Sequence, residues 1–134
     1  MITPLAIKTI DQLSERIGYT TRQLQVIANS KKRFYHVKEI RKNGKLRKLY
    51  IPVGPLRKVL ELIKINVFES VEFPECMHGY RKKRDYKSNA KMHVGKNLVC
   101  NLDIKNFFPS IHHGRVHITF IHLGCSEEVA KLLT

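Results

Sequence analysis

Apolar residues recur at helical spacing in two short segments near the start of the chain. In "TIDQLSERIG" they share one face, Thr9 and Gln12 are spaced as a capping box, and Gly18 is placed to end the helix. The segment "TTRQLQVIANS" repeats this design. Together these patterns predict a small helical region over residues 1–33.

The next pattern is typical of a hairpin followed by a helix. In "YHVKEIRKNGKLRKLYIP" two strand-like runs flank Asn43-Gly44, a dipeptide that suits a type I′ turn because both central residues need positive φ. Pro55 then opens "PLRKVLELIKINVFE". One helical stripe of this segment comprises Leu56, Leu60, Ile63 and Val67.

The second half of the chain mixes one apolar run with helical patterns. A basic connection, "FPECMHGYRKKRDYKSNAKMHVGK", carries a short helix near its end. The run from Leu98 to Leu102 predicts a buried strand that ends at Asp103, with a short sheet around residues 98–103. Two further helices are predicted in "GRVHITFIHLG" and "SEEVAKLLT". The expected fold class is therefore α+β.

Composition narrows the range of partners. The 134 residues include 25 Lys+Arg and 11 Asp+Glu, so the formal net charge is +14, and 43% of residues are hydrophobic. This length suits one domain, and the apolar content is too high for a disordered basic tail. Such a charge favours a polyanionic partner, and no apolar run approaches the ~20 residues that span a bilayer. We therefore expect a nucleic-acid partner and no membrane.

The cysteines and histidines indicate a reducing compartment and give weak support for zinc. Three widely spaced cysteines do not form a disulfide framework, and the first residues lack the layout of a signal peptide, so we expect a cytoplasmic protein. Cys76 and His78, and likewise His113 and His117, lack the paired spacing of zinc sites. A partly exposed helix is the simpler interpretation of the last two.

The segment "NLDIKNFFPSI", residues 101–111, carries the clearest candidate chemistry. Asp103 could cap the turn that follows it. Alternatively, a carboxylate in a basic cleft near phosphates is a good Mg²⁺ ligand, because Mg²⁺ takes one or two carboxylates together with substrate phosphates. Phe107 and Phe108 are then either core residues or, in the case of Phe108, the wall of a sugar pocket.

A run of four basic residues, Arg81 to Arg84, has two interpretations. Most charge runs form a solvated face. Tyr80 and Tyr86 on either side add stacking surfaces, which favours contact with RNA.

Four segments, in order, resemble those of reverse transcriptases. "NLDIKNFFPSI" resembles motif A, and its Phe-Phe-Pro-Ser-Ile ending is similar to the bacterial retron-type branch. Upstream, "RKNGKLRKLYIP" resembles the fingers hairpin, "PLRKVLELI" the helix after it, and "HGYRKKRDYKSNAKMHVGK" the segment before motif A. The resemblance covers about residues 35–134. It implies fingers (34–97) and the first palm segment (98–134) of a right-hand polymerase, preceded by the helical region 1–33.

The resemblance also implies roles for the motif A residues. Asp103 would be the first catalytic carboxylate and would bind both metal ions, Mg²⁺ in the complete enzyme, with the Ile104 carbonyl as a further ligand. Phe108 would be the steric gate that tests the sugar 2′ position. Phe107 would pack beneath the nucleotide.

The basic residues upstream receive nucleotide-binding and RNA-binding roles. Arg47 would hold the triphosphate of the incoming dNTP, and Arg41 or Lys42, across the turn, would assist. Guanidinium groups suit this role because they contact phosphate through two hydrogen bonds. The residues expected to bind template and primer RNA are Lys45, Lys48, Arg81, Lys82, Lys83, Arg84 and Lys87.

One motif of the family is absent from this sequence. Reverse transcriptases require a Tyr-x-Asp-Asp turn, whereas the aspartates here are only Asp11, Asp85 and Asp103. We therefore expect a shortened form, a gene fragment or half of a split enzyme. It would be inactive alone, partnered by the remaining polypeptide, and prone to self-association through exposed palm surface. The alternative is a non-catalytic RNA-binding module that retains the fingers platform.

Overall fold

The computed structural model describes residues 5–42 and 44–134, and these residues form a mixed helical and strand structure. This mixture of helices with a small two-stranded sheet is compatible with the expected α+β class. The regular elements are α1 (Ile10–Ile17), α2 (Thr21–Asn29), β1 (Tyr35–Lys42), β2 (Lys45–Pro52), α3 (Gly54–Asn66), α4 (Tyr86–Lys91), α5 (Phe107–Ser110), α6 (His113–His122) and α7 (Glu127–Leu133). Two short 3-10 helices, Lys31–Phe34 and Phe68–Ser70, connect neighbouring elements.

The two N-terminal helices begin as their sequences predict. The Thr9 side chain accepts a hydrogen bond from the Gln12 backbone amide at 3.2 Å, and the Gln12 side chain binds back to the Thr9 amide. Helix α2 repeats this capping box from Thr20. Gly18 ends α1 with φ of 68°, in the left-handed region that glycine adopts without a Cβ penalty. The predicted helices are confirmed.

Strands β1 and β2 form the predicted antiparallel hairpin. Their register pairs Tyr35 with Pro52 at the open end and Lys42 with Lys45 beside the turn. Asn43 lies outside the described residues, so the predicted turn type is not assigned. Gly44 has φ of 73°, which meets the requirement of a tight turn for positive φ.

Helix α3 buries a stripe that differs from the predicted one by one residue. Pro55 lies in its first turn as expected, and the buried residues of the helix are Leu56, Val59 and Ile63. Leu60, which we expected in the stripe, is 40% exposed. The stripe follows a spacing of three and four residues, which keeps Val59 on the central line of the face and leaves Leu60 at its margin.

One hydrophobic core joins the two ends of the chain. It draws on α1, α2, α3, α6 and α7, and on residues just before α1. The Leu5 amide donates to the Leu123 carbonyl at 2.6 Å, and the Ser126 amide donates to the Ile7 carbonyl at 3.0 Å. Val129 of α7 is fully buried. The predicted regions 1–33 and 98–134 therefore share one core.

This packing predicts a large stability effect at the start of the chain. Ile7 is fully buried, so Ile7→Ala removes apolar contacts and leaves a cavity that costs about 2–4 kcal/mol. Val26 of α2 is 56% exposed, and Val26→Ala is the matched control, with a change below about 0.5 kcal/mol. Urea unfolding monitored by circular dichroism measures both. Equal midpoints for the two variants would contradict the packing of residues 5–7 in the core.

The predicted buried strand over residues 98–103 is wrong. These residues have no regular secondary structure, and Leu98 and Leu102 are 86% and 92% exposed. Ile104, directly after this run, is 64% exposed. A strand needs a neighbour for its backbone hydrogen bonds. Among residues 5–42 and 44–134 the sheet contains only β1 and β2, which pair with each other.

The predicted helices in the second half are confirmed. Helix α4 is the short helix expected near the end of the basic connection, and α6 and α7 are the two expected after Pro109. None of the helices in the described part of the chain combines the length and apolar character needed to cross a bilayer.

Candidate nucleic-acid interface

The register of the hairpin sorts its side chains onto two faces. Residues directly opposite each other in an antiparallel pair lie on the same face, and successive residues alternate between faces. Arg47 is opposite Ile40, Lys38 is opposite Leu49, and Lys45 lies two residues nearer the turn than Arg47. We call this side the basic face, and it comprises His36, Lys38, Ile40, Lys45, Arg47, Leu49 and Ile51.

The opposite side of the hairpin has a different character. Val37 is opposite Tyr50, Glu39 is opposite Lys48, and Arg41 is opposite Leu46. An ion pair of 3.7 Å joins Lys48 Nζ to Glu39 Oε1, as expected for side chains on one face. We call this side the aromatic face, and it comprises Tyr35, Val37, Glu39, Arg41, Leu46, Lys48 and Tyr50.

The two arginines expected to act together are therefore on opposite faces. Arg47 belongs to the basic face and Arg41 to the aromatic face, while the backbone of Lys42 pairs with that of Lys45. The cations that accompany Arg47 on its own face include Lys38 and Lys45. The sequence carried this signal, because a two-residue turn fixes which residues pair and hence which face each occupies.

Two of the four side chains in the basic run bind residues earlier in the chain. Arg81 Nη1 donates to the Pro74 carbonyl at 3.1 Å and to the Met77 carbonyl at 3.5 Å. Lys82 Nζ forms an ion pair of 2.8 Å with Glu69 Oε2. These side chains tie the basic connection to the residues before it, so they are less available to phosphate than the sequence suggested.

A buried histidine holds the same connection to α4. His78 is 8% exposed, and its Nδ1 lies 2.9 Å from Ser88 Oγ while its Nε2 lies 2.9 Å from Met92 Sδ. Ser88 also completes a capping box with Asp85 at the start of α4, and its backbone hydrogen bond lowers the pKa of the Asp85 carboxyl. Sequence reasoning missed this box, although an acidic cap followed by Ser three residues later is a recognisable signal.

Several other side chains of the connection face solvent, while Arg84 is half-buried. Tyr80 and Tyr86 are 93% and 79% exposed. Lys83, Arg84 and Lys87 make no side-chain hydrogen bond or ion pair with another described residue. Tyr80 and Lys83 both have φ near 60°, a conformation that costs about 1 kcal/mol or more for residues other than glycine. Two rings and three cations thus stand on a connection that internal contacts hold in place.

Asp103 lies on an exposed segment without a partner. Its carboxylate makes no hydrogen bond or ion pair with the residues that the structure describes. The residue at the N-cap of α5 is Asn106, with φ of 54° and no side-chain capping bond. Asp103 therefore does not cap the following turn, and the alternative of a turn cap is wrong. The carboxylate is accessible to a ligand from outside the chain.

The two phenylalanines form an exposed pair. Their ring centroids are 5.3 Å apart in an edge-to-face arrangement with an interplanar angle of 74°. Phe107 is 46% exposed and Phe108 is 74% exposed, so the interpretation of both as core residues is wrong. Ser110 Oγ donates to the Phe107 carbonyl at 2.7 Å and fixes the short helix α5.

The donor set near Asp103 fits part of a Mg²⁺ site. One exposed carboxylate, with the neighbouring Ile104 carbonyl, matches a site that takes one or two carboxylates and completes its shell with phosphate and water. Within residues 5–42 and 44–134, no group of three or more His, Cys, Asp or Glu side chains could hold a metal ion. His117 instead lies 3.2 Å from Glu127, whose pKa it lowers.

The exposed apolar residues around Asp103 predict self-association. Residues 92–111 carry Leu98, Leu102 and Phe108 on the surface, and exposed apolar patches promote contacts between molecules. We expect the molar mass from light scattering to rise with protein concentration, and Leu98→Lys with Leu102→Lys to reduce that rise. The exposed Ile65→Lys on α3 is the control. A constant monomer mass at all concentrations would contradict this prediction.

Comparison with known proteins supports one family. No protein-family model matches the chain. The Retron Se72 reverse transcriptase of Salmonella heidelberg is 36% identical over 135 residues, covering 98% of this chain and 35% of that protein. The Retron Ec86 reverse transcriptase of Escherichia coli is 27% identical over 115 residues, covering 86% and 36%. The Retron Mx65 reverse transcriptase of Myxococcus xanthus is 31% identical over 93 residues, covering 69% and 22%.

Each match covers a large share of this chain and a small share of the relative. They extend over most of this chain, whereas the chain spans about a third of the length of the first two relatives. Several independent retron proteins match in the same way. By these matches the chain belongs to the retron reverse transcriptase family and corresponds to between about a fifth and about a third of its relatives' length.

Proposed function

We propose that this chain forms the fingers and first palm segment of an RNA-directed DNA polymerase that binds template RNA and incoming dNTP. The observation that carries the proposal is the match of nearly the whole chain to a retron reverse transcriptase. In this proposal residues 34–97 are the fingers and residues 98–134 begin the palm. Residues 1–33 form a helical support, which agrees with the core they share with α6 and α7.

The basic face of the hairpin binds the triphosphate in this proposal. Arg47 is the central group, because a guanidinium gives paired hydrogen bonds to phosphate oxygens. Lys38 and Lys45 add charge on the same face. Arg41 lies on the other face and is not part of this group. Exposure of both faces supports a hairpin that can close over a substrate.

The segment after residue 98 supplies the polymerase carboxylate. Mg²⁺, when bound, would supply positive charge that stabilises the transferring phosphate. The Asp103 carboxylate, free of partners in the described chain, provides negative charge to hold it, and the Ile104 carbonyl provides a further oxygen. The Phe108 ring excludes a 2′-hydroxyl from the sugar position, and Phe107 supports the nucleotide from below.

The basic connection contacts RNA through its outward side chains. Lys83, Arg84 and Lys87 bind phosphates, and the exposed rings of Tyr80 and Tyr86 stack on unpaired bases. Arg81 and Lys82 are positioning residues, because their contacts with Pro74, Met77 and Glu69 hold the connection in its conformation.

This division of labour predicts how binding depends on salt. In a plot of log binding constant against log salt concentration, each phosphate contact on a single strand contributes about 0.7 to the steepness of the slope. The triple variant Lys83→Ala, Arg84→Ala, Lys87→Ala should therefore have a slope shallower by about 2. Lys82→Ala is the matched control, and its slope should stay close to that of the unmodified protein. Fluorescence anisotropy with labelled single-stranded RNA in a NaCl series measures both. A larger slope loss for Lys82→Ala than for the triple variant would contradict the assignment.

A second function, a non-catalytic RNA-binding module, is favoured by one observation. In the described part of the chain, Asp103 stands without a second metal-binding carboxylate, and the sequence lacks an Asp-Asp pair. Metal dependence separates the two functions, since a polymerase segment needs Asp103 and a binding module needs only the basic surface. Binding of RNA together with dNTP that strengthens with Mg²⁺ in the unmodified protein, and not in Asp103→Asn, supports the polymerase segment.

A further inference from the structure

The aromatic face of the hairpin has no role in the function proposed above. It carries Tyr50, which is 65% exposed, opposite Val37, which is 48% exposed. Tyr35, at the open end of the hairpin, is 39% exposed. The Tyr50 ring therefore leaves apolar surface in contact with water and contributes little to the core. The face is therefore a candidate for binding something from outside the chain.

The charges on this face are arranged so that one cation is available. Lys48 and Glu39 pair at 3.7 Å and largely neutralise each other. Arg41 makes no hydrogen bond or ion pair with another described residue. Arg41 lies four residues along β1 from Val37, which is opposite Tyr50. At the rise of a strand, four residues span about 13 Å. The Arg41 guanidinium and the exposed Tyr50 ring therefore lie on the same face, with the Glu39–Lys48 ion pair between them.

We propose that the aromatic face binds single-stranded RNA, with a base stacked on the Tyr50 ring and a phosphate held by Arg41. The inference rests on the proposed function, since it adds a second contact surface for the template of the same protein. Stacking on an aromatic ring is tolerant of sequence and requires an unpaired base. The backbone then passes over the Glu39–Lys48 pair toward Arg41.

Charge favours RNA over a second copy of the chain on this face. The protein has a formal net charge of +14, so two copies meeting through Arg41 would bring like charges together. A polyanion gains from the same charge through counterion release. Its bases also supply flat apolar surfaces to cover Tyr50 and Val37.

The test measures binding of a short labelled oligouridine by fluorescence anisotropy across a NaCl series, using the full chain. Tyr50→Ala should weaken binding about 5-fold or more at every salt concentration without changing the log–log slope, because stacking involves no phosphate. Tyr50→Phe should bind as the unmodified protein does, since the ring is retained. Arg41→Ala should make the salt-dependence slope shallower by about 0.7, because one phosphate contact is lost. Ile65→Ala, an exposed apolar site on α3, is the control and should have no effect.

Three results would overturn the inference. The first is an unchanged affinity for Tyr50→Ala, and the second is an equal loss for Tyr50→Phe, which would implicate the hydroxyl. The third is a Tyr50→Ala variant that binds RNA normally and has a lower molar mass by light scattering, which would assign the face to contacts between copies. If Tyr50→Ala and Arg41→Ala leave RNA affinity unchanged, while the triple variant of the basic connection loses affinity, this inference fails and the proposed function stands. If the unmodified protein does not bind oligouridine, the RNA-binding part of the proposed function fails with it.

Discussion

Asp103→Asn is expected to abolish primer extension when this chain is combined with a polypeptide that supplies the missing Asp-Asp turn. The substitution keeps the size of the side chain and removes the negative charge that holds a divalent ion near the phosphates. Because Asp103 is exposed and its carboxylate makes no hydrogen bond or ion pair with the described residues, the fold should be unaffected. Radiolabelled dNTP incorporation on an RNA template should fall by about a thousandfold or more, in line with the loss of charge stabilisation at the reacting phosphate.

The control for this prediction separates chemistry from binding. RNA affinity and the urea midpoint of Asp103→Asn should match those of the unmodified chain. Asp85→Asn offers a second control on an acidic residue, since Asn also serves as a helix cap and α4 should persist. Robust extension by the reconstituted Asp103→Asn protein would show that the carboxylate is not part of the polymerase site.

Phe108→Ala is expected to change which nucleotide is accepted while extension with dNTP continues. The ring is 74% exposed and buries little surface of its own, so its removal should not destabilise the fold. In the assembled enzyme the ring would fill the space of a 2′-hydroxyl. Removing it should raise ribonucleotide incorporation by about a hundredfold, because rejection by steric exclusion disappears when the space opens.

Phe107→Ala is the matched control for the gate. It removes a ring of the same size from the adjacent position, where the side chain is proposed to support the nucleotide from below. We expect it to lower extension with both kinds of nucleotide and to leave their ratio unchanged. Competition between labelled dNTP and NTP on one template measures the ratio. A ratio that shifts equally in the two variants would show that Phe108 has no special part in sugar selection.

The features that sequence predicted well are those fixed by local chemistry. The capping box of Thr9 and Gln12 and the helix end at Gly18 involve residues at most a few positions apart, and they form as expected. The hairpin also follows from local pattern, with the turn dipeptide and alternating side chains fixing its register. Such signals need no knowledge of distant partners.

The feature that sequence predicted wrongly depends on distant partners. The run Leu98 to Leu102 has the composition of a buried strand, yet composition alone does not supply neighbours to bond its backbone. Residues without those neighbours stay exposed. The same limit explains the basic run, where contacts of Arg81 with Pro74 and Met77 arise from the path of a loop that no short pattern encodes.

The sequence proposes residues for the candidate site, and the structure shows how they are arranged. Asp103, Phe107 and Phe108 lie together on an exposed segment, which the predicted buried strand did not anticipate, and their roles stay predictions. The grouping of Arg41 with Arg47 overlooked the alternation of a strand, which separates them onto two faces. This separation is encoded locally, since the pairing of residues beside a two-residue turn fixes the face of every side chain on both strands.

The most direct test of the proposed function is RNA-templated primer extension by this chain mixed with the remaining part of a retron reverse transcriptase. Each polypeptide is assayed alone and in the mixture, with Mg²⁺ and with the metal removed by chelation. The proposal predicts extension only in the mixture and only with the metal. A mixture that assembles and binds RNA, yet extends no primer under any of these conditions, would contradict it and leave the RNA-binding module as the function of this chain.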